Sequence, residues 1–328
     1  MRNRLVYSSS DPVPSPDGPS SAKATEGKHQ SVLLHEAIRE LAIRPDDTVV
    51  DATLGGAGHA SAIAEQLGTA GTLIGFDLDN DAIARAQATL AGAKPQVHLI
   101  KSNFRNLGTE LTARGISTID KALFDLGWSG YQLAAGRGFS FLSDEPLLMT
   151  YAHDIAPETL TAREIVNEWE EESLTDIISG WGEERYARRI AQAIVKRRGQ
   201  TPFTTARDLA DTIKAHVPSA YRHGRIHPAT KTFQALRIAV NDELGALQEG
   251  LASAWRMLGP SGRVAVITFH SIEDRIVKQL FVGWEKEGEG KRITKKPITP
   301  ADDELSHNPR ARSAKLRVIE RISNTKNI

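Results

Sequence analysis

An apolar run, Thr48-Val-Val, leads into Asp51-Ala-Thr-Leu-Gly-Gly-Ala-Gly-His59, and a helix-like run from Ala60 to Leu67 follows. No other stretch of the chain restricts the fold as strongly. A strand ends in a carboxylate, the chain turns through three glycines, and a helix begins. Gly55, Gly56 and Gly58 admit backbone conformations closed to other residues and let a ligand approach the main chain closely. A strand, a glycine turn and a helix N-terminus together build a nucleotide-type pocket.

The alternation continues around this loop. Strands are expected at Thr48–Ala52, Thr72–Asp77, Val97–Lys101 and Ile119–Asp125, with a helix capped by Asp79 and Asn80 running to Leu90. Strands alternating with helices predict an α/β fold with a parallel, Rossmann-like doubly wound sheet. After about residue 130 the strand pattern stops. Glu164–Trp169, Leu174–Ile178, Glu183–Arg198 and Ala206–His216 read as helices, the last opened by a capping box, Thr205-Ala-Arg-Asp208. The alternation returns with a long amphipathic helix, Thr232–Leu258, a turn, Gly259-Pro-Ser-Gly262, a strand, Arg263–Phe269, a helix, Ile272–Trp284, and a closing strand, Lys315–Arg321. The expected organisation is a discontinuous α/β domain (28–132 and 230–323) with an inserted all-helical substrate-recognition domain (133–229).

Residues 1–27 are rich in Ser, Pro and Gly, which cannot bury enough apolar surface to order a segment, and they read as a disordered tail; residues 324–328 are a short C-terminal tail. The tail lacks the apolar core of a signal peptide, and no apolar run is long enough to span a membrane. With no cysteine, disulfides and thiolate metal sites are excluded, and a cytoplasmic location is expected. Lys and Arg total 41 against 41 Asp and Glu, so any nucleic-acid signature has to be local.

The loop does not spell G-x-G-x-x-G, so the dinucleotide fingerprint fails and an NAD oxidoreductase is disfavoured. Asp77 ends the second strand, placed either to bind ribose hydroxyls or to cap the next helix. An acidic strand end followed by a looser glycine turn resembles class I methyltransferases, whose donor, S-adenosylmethionine (SAM), has no pyrophosphate to seat. After the third strand, Asn103 can bond an adenine edge, and Phe104 either packs on its face or joins the core. The fourth strand ends in Asp125-Leu-Gly-Trp128, which resembles the Asp-Pro-Pro-aromatic signature of enzymes that methylate exocyclic amino groups. The residue types suit that chemistry. The lone pair of such an amino group is delocalised into the ring, and acceptors that hold its N–H groups pull the lone pair out of conjugation. An aromatic such as Trp128 either stacks on an extruded base or packs in the core.

Longer strings add a specific resemblance: His29-Gln-Ser-Val-Leu-Leu-His-Glu36, Arg137-Gly-Phe-Ser-Phe141, His227-Pro-Ala-Thr-Lys-Thr-Phe-Gln-Ala-Leu-Arg237, Ile267-Thr-Phe-His-Ser-Ile-Glu-Asp-Arg-Ile-Val-Lys278 and Asn308-Pro-Arg-Ala-Arg-Ser-Ala-Lys-Leu-Arg317. Together, from about residue 28 to 322, they resemble the bacterial 16S ribosomal RNA cytosine-N4 methyltransferases (the RsmH or MraW family). The resemblance implies a class I SAM-dependent methyltransferase fold, SAM as donor and one cytosine in the decoding region of small-subunit rRNA as acceptor. It implies SAM contacts at Ala57, Gly58, His59, Asp77, Phe104, Asp125 and Gln132. The chain departs from the family at Trp128-Ser129-Gly130, and at Leu148 and Thr150, where the family carries a carboxylate and a guanidinium.

Arg185, Arg188, Arg189, Gln192 and Lys196 recur on one expected helix face, and Arg310, Arg312, Lys315 and Arg317 form a second basic cluster. Such faces either bind phosphates or are simply solvated. His227 and His270 lie beside element ends and are candidates for RNA contact. No grouping in the sequence has metal-ligand spacing. The reading is a SAM-dependent rRNA cytosine-N4 methyltransferase. Gly55, Gly56, Ala57, Gly58, His59, Asp77, Asn103, Phe104, Asp125 and Gln132 hold SAM, and Asp125 and Trp128 orient the amino group. Small-subunit rRNA or the 30S particle is the partner, met by a monomer or homodimer. The rivals are an amino-methyltransferase with another acceptor, such as DNA, and a non-catalytic SAM-binding ribosome-associated factor.

Overall fold

The computed structural model describes residues 30–127, 136–151 and 159–322. The N-terminal tail, Trp128 to Gln132 and the last residues lie outside the described residues. A short helix α1 (Leu34–Leu41) precedes β1 (Thr48–Asp51), α2 (Gly58–Gln66), β2 (Thr72–Asp77), α3 (Asn80–Thr89), β3 (Gln96–Lys101), α4 (Leu107–Ala113) and β4 (Ile119–Asp125). The helical stretch follows: α5 (Ala162–Glu168), α6 (Glu171–Gly180), α7 (Ala187–Arg198), α8 (Ala206–His216) and α9 (Ser219–Arg222). Then come α10 (Thr230–Asn241), α11 (Glu243–Met257), β5 (Leu258–Thr268), α12 (Ser271–Lys286), β6 (Gly290–Arg292), α13 (Asp302–His307) and β7 (Lys315–Arg321).

The seven strands form one sheet in the order β3-β2-β1-β4-β5-β7-β6. Strands β1 to β5 run parallel, and β7 is antiparallel to both β5 and β6. The order reverses between β1 and β4, where the loops after these strands diverge and leave a crevice at the carboxyl edge. Both sheet faces are covered, so the central strands are apolar throughout rather than alternating. Val49, Leu73, Leu123 and Ala265 pack on one face, and Val50, Ile74, Phe124 and Val264 on the other. The helical stretch has a core of its own, with Ile165, Ile178, Ile190, Ile194, Phe203, Leu209 and Ile213 buried together.

Four local expectations are corrected. The helix expected over Thr232–Leu258 is two helices, broken at Asp242, which is left-handed (φ 45°, ψ 47°). Its neighbour Asn241 gives its amide to the carbonyls of Met149 and Arg237 and accepts from the N–H of Tyr151. A long-range anchor thus overrides helix propensity at a residue pair that tolerates the break. The expected turn Gly259–Gly262 is an irregular stretch of β5: Ile119 pairs with Leu258 and Lys121 with Arg263, and the surplus residues bulge, with Ser261 at φ 60°. The helix expected from Glu183 starts at Ala187. The Thr205 cap makes one bond of the expected box, accepting from Asp208 N–H, while the Asp208 carboxylate pairs with Arg197 at 2.6 Å.

Candidate active site

The carboxyl ends of β1, β2 and β4 carry the chemistry. Asp51, Asp77 and Asp125 end these strands, and the glycine loop lies among them. Gly55 (φ 48°) and Ala57 (φ 61°) take left-handed conformations, so the turn rests on one glycine and one alanine. Gly58 starts α2 for another reason: a Cβ there would sit 2.2 Å from Ser31 Oγ. Gly56 is half-buried in the same turn.

Asp77 holds the loop rather than the helix. Its Oδ2 accepts from Gly55 N–H and its Oδ1 from Asp79 N–H, both at 2.9 Å. The cap of α3 is Asp79, which accepts from Asp81 N–H. Burial raises the Asp77 carboxyl above the usual range against these two bonds. Asn103 Oδ1 is committed to Arg105 N–H, opening a single 3-10 turn, while Phe104 stands edge-on to Phe124 at 5.6 Å and lies beneath Gly250 of α11.

Asp51 and Asp125 are the unusual pair. Burial pushes both carboxyls up to about 7, reinforced at Asp51 by Asp77 and at Asp125 by Asp51 and Glu273. Asp51 Oδ1 accepts from Thr53 N–H, but its buried Oδ2 has no hydrogen-bond partner among the described residues. Asp125 accepts from Gly127 N–H at 3.2 Å, and its Oδ2 lies 3.5 Å from Nδ1 of buried His59. Asp125 opens onto a pocket, with Asp51 and His59 buried behind its lining. Gly55, Asp77, Asn103, Phe104 and Asp125 line it, and so do Tyr151, Asn241, Glu243 and Glu273, which the sequence reading passed over.

Those four build the far wall. The Tyr151 hydroxyl donates to Glu243 Oε1 at 2.7 Å, and Arg237 clasps the same carboxylate with bonds of 2.8 and 3.0 Å. Glu273 Oε2 accepts from the N–H groups of Phe269 and His270. His270 returns the bond through Nδ1, so it is the N-cap of α12 in a capping box and not a surface contact. The spacing of His270 and Glu273 is that of such a box, a signal the sequence held. The fold also brings Glu243, His270 and Glu273 within 4.8 Å of one another, a grouping that sequence spacing did not show. Arg237 neutralises Glu243, the cap of α12 occupies Glu273 Oε2, and His270 Nε2 lies 3.1 Å from Glu273 Oε1.

The other expected contacts divide. Arg188, Arg189 and Lys196 are exposed on α7, whereas Arg185 precedes the helix and lies over the rings of Tyr186 and Tyr221 at 4.7 and 4.9 Å. His227 is stacked on Phe141 at 4.4 Å and accepts from Ala229 N–H, and burial lowers its imidazole below the ordinary range. Arg310 and Arg312 are exposed beside residues 30–33, which Glu304 and Asn308 fasten. Lys315 and Arg317 are instead drawn onto Asp274, which corrects the basic cluster expected there. Trp128 and Gln132 lie outside the described residues. No helix among the described residues is long and apolar enough to cross a membrane.

The family model described as MraW methylase family matches residues 26–322. A protein of Heliobacterium mobile named ribosomal RNA small subunit methyltransferase H is 47% identical over 316 residues, covering 90% of this chain and 100% of its own length. Its namesake from Brevibacillus brevis is 46% identical over 310 residues, covering 90% and 98%.

Proposed function

This chain belongs to the MraW methylase family, and from that premise we propose that it methylates N4 of a cytosine in the decoding region of small-subunit ribosomal RNA, with SAM as donor. The observation that carries the reading is Asp125: a buried carboxyl at the end of β4, at the sheet's switch point, in one pocket with the glycine loop. It is placed to accept an N–H of an exocyclic amino group.

The residues present suit SAM. Asp77 and Asp125 line the pocket and Asp51 is buried beside them, so a positive charge in the pocket would relieve buried carboxylates. Asp77 would hold the ribose, Gly55, Gly56, Ala57, Gly58, His59 and Gln132 the amino-acid half, and Asn103 and Phe104 the adenine. When bound, SAM supplies an electrophilic methyl group on a sulfonium. Asp125 draws the amino lone pair out of ring conjugation by accepting an N–H, and Trp128 stacks on the extruded base. Most of the acceleration comes from positioning, which is worth up to roughly 7–11 kcal/mol in favourable cases. Arg188, Arg189, Lys196, Arg310 and Arg312 would contact RNA phosphates.

Incubating the protein with labelled SAM and small subunits that lack the modification, followed by nucleoside analysis of the rRNA, tests the reading. N4-methylcytidine should form, and Asp125→Ala should slow its formation by about a hundredfold or more, the scale of removing one polar group aimed at a reacting centre. Tight SAM binding with no methyl transfer to any rRNA substrate would sink the proposal in favour of a non-catalytic binding factor.

A further inference from the structure

We propose that Tyr151 is a specificity-determining wall of the acceptor pocket, its ring receiving the extruded base on the side of Asp125 away from the donor. The inference rests on the amino-methyltransferase reading and adds a residue to it.

Three aromatic residues line the pocket among the described residues. Phe76 is fully buried in the sheet core. Phe104 stands at the β3 end, beneath Gly250. Tyr151 is the third, and it lies elsewhere. Its partner Glu243 opens α11 two turns, about 10 Å, before Gly250. Its other acidic neighbour is Glu273, which also acts on Asp125 and follows β5. Along the sheet edge the order is therefore Asp77, Asp51, Asp125, Glu273. The glycine loop and Asp77 occupy one end, and Tyr151 stands with Glu273 at the other.

The ring is also held more firmly than packing alone requires. Its N–H donates to Asn241 Oδ1 at 2.9 Å, its carbonyl accepts from Arg137 at 2.8 Å, and its hydroxyl is bound to Glu243, which Arg237 clasps. One side is stacked on Phe139, with centroids 5.6 Å apart and planes 15° from parallel. Burial holds the phenol well above its ordinary range, so it stays a proton donor to Glu243. A firmly held, half-buried aromatic in one pocket with the Asp125 carboxyl offers a base a stacking face and, through Asp125, a bond along its edge.

The test compares wild type, Tyr151→Leu and Tyr151→Phe by three measurements: SAM affinity by calorimetry, acceptor KM and kcat with small-subunit rRNA, and the fluorescence quenching of pyrrolocytidine titrated with the SAM-loaded protein. Stacking contributions of about 1–3 kcal/mol per base set the expectation of a five- to hundredfold rise in acceptor KM for Tyr151→Leu. SAM affinity should stay within about twofold, quenching should fall to the part that Trp128 supplies, and Tyr151→Phe should recover most of the KM and of the quenching. An unchanged KM and quenching in Tyr151→Leu would overturn the proposal. So would a loss of SAM affinity as large as the KM effect, which would make Tyr151 part of the donor wall. If Tyr151→Leu does not fold, Tyr151→Met and Tyr151→Phe carry the same comparison. A wild type that quenches pyrrolocytidine but modifies no rRNA would sink the rRNA reading and leave the wall standing.

Discussion

The two ends of the pocket are built on different plans. At the proposed donor end, the loop 55–59, Asp77 and Asp125, with Asp51 buried beside them, sit at the ends of three neighbouring parallel strands, and their bonds run largely to backbone N–H groups nearby, such as those of Thr53, Gly55, Asp79 and Gly127. At the proposed acceptor end, Tyr151, Asn241 and Glu243 come from separate elements and are tied across them, the Tyr151 hydroxyl to Glu243 and its N–H to Asn241 Oδ1, while Glu273 accepts from the N–H groups of Phe269 and His270. A wall made of local turns tolerates change elsewhere in the chain. A wall made of side-chain bonds between elements depends on each of its members. On the proposed reading, substrate choice can therefore change at the Tyr151 end while the glycine-loop end stays fixed.

The largest effect that can break this comparison is expected at Arg237. Its guanidinium is 9% exposed and balances Glu243 at 2.8 Å. Arg237→Ala leaves a buried carboxylate unpaired and should cost about 3–5 kcal/mol in denaturant unfolding, with a loosened Tyr151. The double variant Arg237→Met/Glu243→Leu should recover most of that stability, because both charges then leave together. If the single variant unfolds like wild type, the acceptor wall does not depend on the pair, and the contrast with the donor end fails.

This difference also sets what could be read from the sequence. The loop, Asp77 and Asp125 were legible because strand, turn and helix signals lie side by side, and a strand end fixes where its carboxylate points. Their finer roles were not. The Asp79 cap was legible, but Asp77 was open between ribose and cap, and its bond to the Gly55 N–H was not legible, since only the fold closes the loop onto β2. Tyr151, Asn241 and Glu243 carried no local signal, since only the fold brings residue 151 to residues 241 and 243. The break at Asp242 was hidden by apolar spacing that continues from Phe233 and Leu236 to Leu247 and Leu251. Lys315 and Arg317 looked like free cations because Asp274, which takes them, lies on another element.

A second expectation sharpens the donor end. Asp51 and Asp125 titrate near 7, far above the unfolded carboxyl value. Such groups hold protons in the native state that the unfolded chain has already released. The ligand-free fold should therefore lose stability from these two groups as pH rises from about 4 to 7. A bound cation reverses the balance by favouring the charged carboxylates. SAM affinity should rise roughly tenfold between pH 6 and 8 if one such proton must leave. S-adenosylhomocysteine, with no sulfonium, should show a clearly weaker rise. Calorimetry across that range decides it: equal pH dependence for the two ligands would mean that the carboxylates do not face the sulfonium.

The smallest effect separates cations that can meet RNA from those already spent. Arg310 and Arg312 are exposed beside the segment that packs on the glycine loop, whereas Arg317 is 6% exposed and bound to Asp274 at 2.6 Å. Each phosphate contact contributes about 0.7–0.9 to the slope of log affinity against log salt concentration. Arg310→Ala/Arg312→Ala should lower that slope for small-subunit rRNA by about 1.5, with SAM affinity unchanged. Arg317→Ala should leave the slope alone and lower stability instead, because Asp274 loses its closest partner. Should Arg317→Ala reduce the slope as much as the double variant does, the ion pair opens to RNA and the basic segment acts as one surface. Should neither variant alter it, RNA meets the protein elsewhere, and Arg188, Arg189 and Lys196 on α7 become the residues to exchange next.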